Sequence, residues 1–90
     1  MTTTSISVED ARWIGEELGV DWAVVSFDEF RHGMEVELEH GRRNRLTNVT
    51  NDDLLMTGKI ALAHLTEFPD YYQRLAKMEA EAHTYWARRK

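Results

Sequence analysis

Ninety residues set the frame for one domain. With 42% hydrophobic and 30% charged side chains, the composition is that of a folded globular domain and not of a disordered one. The chain has no cysteine, so disulfides, thiolate metal sites and a cysteine nucleophile are excluded, and its net charge of −5 argues against a dedicated binder of phosphate backbones.

Residues 1–6 are polar and are expected to form a frayed tail, leaving 7–90 as a single helical domain. Ser7 stands three residues before Asp10, an N-cap with an acidic first turn. Ala11, Ile14 and Leu18 follow at helical spacing, and Gly19 closes the first helix. A short apolar bridge, Asp21 to Val25, leads to Ser26, Asp28 and Glu29, which read as a capping box. Phe27, Phe30, Met34 and Leu38 then form one stripe, so a second helix is expected to run to about His40 and stop at Gly41.

Arg42 to Thr50 reads as the one long loop. A cap at Thr50 or Asn51, with Asp52 and Asp53 in the first turn, is expected to open the third helix, whose stripe is Leu54, Gly58, Ala61 and Leu65. Pro69 cannot continue that helix and suits the first position of the next. In the fourth helix Tyr71, Leu75, Met78, Ala82 and Tyr85 alternate four and three apart, the seam of a bundle helix. The expected fold is therefore all-α, a small four-helix domain with helices about 8–18, 27–40, 52–67 and 69–88. Phe30, Met34, Leu38, Leu62, Leu65, Leu75 and Met78 are its expected core.

Charge is uneven. Residues 1–40 carry ten acidic and two basic side chains, whereas residues 41–90 carry nine basic and six acidic. This polarity suits antiparallel packing of the halves or a partner of opposite pattern. The second helix holds Glu37-Leu38-Glu39-His40 and the third holds His64-Leu65-Thr66-Glu67, each a carboxylate and an imidazole three residues apart. Glu37, His40, His64 and Glu67 are thus candidate ligands for zinc, iron or manganese between two helices, with Asp70 and Tyr71 as candidate supporting residues. The same side chains also suit a second role, bordering the core and reaching water. Straight antiparallel helices would set His40 near Asp53, so bringing it to His64 needs a steep crossing or a second subunit. Gly33 lies on the side of Glu37 and His40, where it would admit a neighbouring helix closely. Glu79 and His83 read as an exposed i, i+4 pair.

No catalytic residue is assigned. Thr57-Gly58-Lys59 lacks the earlier glycine and the strand of a phosphate loop, and the serines read as tail or cap residues. No apolar run approaches the ~18 residues of a membrane helix and no signal-like segment opens the chain, so a cytoplasmic protein without a membrane or nucleic-acid partner is expected.

Four segments carry a resemblance: Glu37 to Gly41, Thr47 to Asp53, Thr57 to Leu65, and Phe68-Pro69-Asp70-Tyr71-Tyr72. They resemble a family of small bacterial, archaeal and phage proteins known as a domain of unknown function, over about residues 8–86. The resemblance implies no activity, and it implies only that the Glu/His and Pro-Asp-Tyr-Tyr segments belong to a family signature. Two functions remain open from the sequence: a small acidic helical protein-interaction module that self-associates, and a metal-binding domain acting as store, sensor or enzyme through the Glu/His cluster between helices two and three.

Overall fold

Three of the four α-helices among the described residues begin where a short polar side chain satisfies one of the first free amides. The structure, a computed structural model, describes residues 5–89. Its elements are α1 (Val8–Leu18), α2 (Phe27–Glu37) continued by a 3-10 turn (Leu38–His40), α3 (Leu54–Glu67) and α4 (Tyr71–Arg88). The described residues form an all-α domain. The Ser7 side chain accepts the Asp10 amide at 3.0 Å, and Ser26 accepts that of Glu29 at 3.4 Å. At the far end of α1, Gly19 takes a left-handed conformation (φ 71°) that a side chain would strain.

Two helix starts differ from the expected positions. Asn51 and Asp52 have φ of 53° and 64°, a left-handed backbone that cannot open a helix. The cap moves to Asp53, whose carboxylate accepts the Met56 amide at 2.8 Å, and α3 begins at Leu54. Pro69 and Asp70 form a turn, so α4 begins at Tyr71 and not at Pro69.

α2 packs against α1, α3 and α4, while α3 also meets α1 and α4. Ala11, Ile14, Val25, Phe30, Met34, Leu38, Ala61, Leu65 and Tyr72 are buried between them. Trp22 meets Phe27 and Phe30 edge-on at 5.2 and 5.7 Å. Of the expected core, Leu62 and Leu75 are half-buried, and Met78 is 52% exposed because the bundle ends before α4 does.

The expected frayed tail also needs correction at one residue, its first four lying outside the described residues. Ile6 is buried; its amide donates to Glu35 at 2.8 Å and its carbonyl accepts from Arg31 at 2.6 Å. Two main-chain hydrogen bonds and an apolar seat offset the entropy of ordering this residue. No helix among the described residues is long and apolar enough to cross a membrane.

Candidate functional site

Glu37, the last residue of α2, is 4% exposed. A carboxylate in that setting requires donors, because an unpaired buried charge is very costly. Two are supplied from different helices. The Tyr72 hydroxyl, on the first turn of α4, donates to Glu37 Oε2 at 2.7 Å. His64, in the last turn of α3, places Nδ1 3.1 Å from the same oxygen and 3.1 Å from Tyr72 Oη. With the phenol proton directed at the carboxylate, both neighbours of Nδ1 offer it an oxygen acceptor, so the geometry suits an Nδ1–H donor.

Packing holds this triangle in place. Tyr71 stacks on His64 with ring centroids 4.3 Å apart and planes within 4°. Tyr72 meets Tyr71 edge-on at 5.1 Å and His32 at 6.3 Å. A Cβ on Gly33 would run into the Tyr72 ring, so glycine at this point of α2 is what allows α4 to approach. Burial, reinforced by the Glu37 carboxylate, pushes the Tyr72 phenol well above its ordinary range and keeps it neutral.

Of the four candidate ligands, the structure brings Glu37 and His64 together. His40 lies apart: Nε2 is 3.5 Å from Glu39, and its backbone carbonyl accepts the amides of Val49 and Thr50 at 2.6 and 3.1 Å. Glu67 is exposed at the end of α3. Among the described residues no group of three or more His, Asp or Glu is placed to hold a metal ion. Asp70 does not orient His64. It pairs with Arg74 at 2.9 Å, and that hydrogen bond holds its carboxyl below the usual range. The partner of His64 Nδ1 is Glu37 instead, and Tyr71 reaches the imidazole through its ring.

Tyr72 is the member of the cluster that sequence reasoning passed over. The signal lay in Gly33, one turn before Glu37 on the same side of α2, which marks where a large ring can enter.

Two hollows lie elsewhere. One of about 280 Å³ is lined by Ser5, Ile6, Asp10, Leu38, Asp52 and Leu54. The other, an open basin of about 570 Å³, is lined by Glu39, His40, Arg43, Asn44, Arg45 and Thr47. Neither includes Glu37, His64 or Tyr72. The cluster therefore joins three helices without facing either hollow, and its chemistry is that of a polar fastening.

A second region stands out on α4. Beyond Leu75 the helix leaves the bundle, and Met78, Tyr85 and Trp86 are 52%, 51% and 65% exposed. Tyr85 and Trp86 meet edge-on at 5.1 Å, and the Arg89 guanidinium lies 5.5 Å above the Tyr85 ring. On α1, Trp13 is 60% exposed, as its place opposite the α1 stripe implies.

Residues 11–81 match the family described as Protein of unknown function (DUF5661). No curated protein and no solved structure matches the chain.

Proposed function

The chain belongs to the DUF5661 family of proteins of unknown function, and we propose that it is a small acidic interaction module that self-associates through the distal half of α4. One observation carries this reading: the apolar seam of α4 packs on its own chain at Tyr71 and Leu75, then continues past the bundle with Met78 and Tyr85 exposed on either side of the half-buried Ala82. An amphipathic helix presented in this way is a common unit of helix-to-helix recognition. The net charge of −5 favours a protein partner over a nucleic acid. A metal-binding role has less support, since His40 and Glu67 stand away from the Glu37–His64 pair.

Sedimentation equilibrium tests the proposal. At concentrations from about 1 to about 100 μM the chain is expected to form a species heavier than its 10.5 kDa protomer. Met78→Asp with Trp86→Asp should return it to the protomer while helical content is kept. A protomer alone at every concentration overturns the reading.

A further inference from the structure

Resting on that interaction reading, the partner of α4 can be specified further: we infer that the distal halves of two α4 helices pair antiparallel, about a two-fold axis between His83 and Thr84. The argument begins with what is uncovered. The seam positions of α4 are Tyr71, Leu75, Met78, Ala82, Tyr85 and Arg89, alternating four and three apart. Tyr71 lies against His64 and Leu75 packs on the core, so the stretch left for a second copy is 78–89. At ~1.5 Å per residue that stretch spans about 18 Å.

Orientation follows from where the bundle sits. It lies wholly at the N-terminal end of α4, which gives the molecule a long axis of 45 Å against 28 and 18 Å across. Parallel pairing would set two bundles side by side at the same end of the helix pair. Antiparallel pairing sets them at opposite ends, with each helix tip stopping where the other helix leaves its bundle.

Charge then selects the register. With the axis between His83 and Thr84, Ala82 of each copy lies opposite Tyr85 of the other, a small residue against a large one. Met78 lies opposite Arg89. On the flank, Glu81 of each copy faces Arg88 of the other, so opposite charges meet twice. Moving the register by one heptad, to an axis near Ala80, sets Glu81 against Glu81 and Glu79 against Glu79. It also presses Tyr85 onto Leu75, where the bundle already stands. One register therefore satisfies the seam, the charges and the space.

Charge exchange and cross-linking test the arrangement. Glu81→Arg alone creates two like-charged contacts and should weaken the dimer about tenfold, as should Arg88→Glu alone; the double variant should recover affinity to within about threefold. The chain has no cysteine of its own, so introduced thiols report position without interference. Mixing Ala82→Cys with Tyr85→Cys chains should give a mixed disulfide, whereas Met78→Cys should not cross-link to itself. A dimer that cross-links through Met78→Cys, or that ignores the charge exchange, overturns this arrangement while leaving self-association intact. A chain that stays monomeric overturns both.

Discussion

The two halves of α4 share one helix and one apolar spacing, yet they have opposite environments. In the first two turns Tyr72 is 1% exposed and its hydroxyl is fastened to a buried carboxylate. In the last three, Met78, Tyr85 and Trp86 are each more than half exposed. Hydrophobic periodicity is equal in both, so it does not decide which half docks. The difference comes from the opposing helices, where Gly33 supplies space and Glu37 and His64 supply polar partners. A seam states which face is apolar; the surface it meets states whether that face is closed.

Removing the fastening should have the largest effect. Tyr72→Ala is expected to cost about 3–5 kcal/mol in denaturant unfolding, the range for a buried aromatic, and a loss under 1 kcal/mol would place the ring outside the core. Tyr72→Phe keeps the ring and deletes the hydroxyl, leaving Glu37 with one donor fewer. The expected cost is about 1.5–3 kcal/mol, as for hydrogen bonds to charged groups. This variant also sharpens the comparison through pH. The phenol is raised in the folded state, so its contribution is fully present below the unfolded tyrosine value and is lost as pH rises past about 10. The alkaline fall in melting temperature should therefore be shallower in Tyr72→Phe than in the parent.

Gly33→Ala tests the space and not the bond. A methyl group there meets the Tyr72 ring, and the repacking should cost about 1–3 kcal/mol. Equal stability would mean that α4 can move aside freely. The smallest effect is expected in the uncovered half. Met78→Ser, measured at a concentration where the protomer dominates, should change stability by no more than about 0.5 kcal/mol. A larger loss would show that the distal half docks on its own bundle.

Local chemistry made much of the fold legible. Ser7, Gly19 and Ser26 mark helix ends through bonds that reach only a few residues, and each serves as its residue type suggests. Where several neighbours can do the same work, local reading loses its grip. Asn51, Asp52 and Asp53 are all able to cap; Asp53 is chosen because the two before it turn left-handed, with Asp52 bound to the Arg42 amide and Asn51 to the Arg42 side chain. The site divides in the same way. Glu37 and His64 were visible as helix-borne partners, but Tyr72 enters from a third helix whose direction is fixed by packing. His40 shows the reverse: its spacing from Glu37 was suggestive, yet the 3-10 turn carries it toward the loop, where its carbonyl holds Val49 and Thr50.

The hydrogen-bonded triangle at the base of α4 also bears on how the rest of that helix forms. A helix must first nucleate, at a high entropic cost, and then grows cheaply by one hydrogen bond per residue. The docked turns around Tyr71 and Tyr72 supply that nucleus, and the run Ala76-Lys77-Met78-Glu79-Ala80-Glu81-Ala82 is rich in residues that propagate it. Residues 78–89 alone would be too short to hold helix in water. The order of the projecting half is thus borrowed from a hydrogen bond at the other end. Slower or faster amide exchange along residues 78–88 should report on the grip of Glu37 upon Tyr72, although none of those residues touches either one.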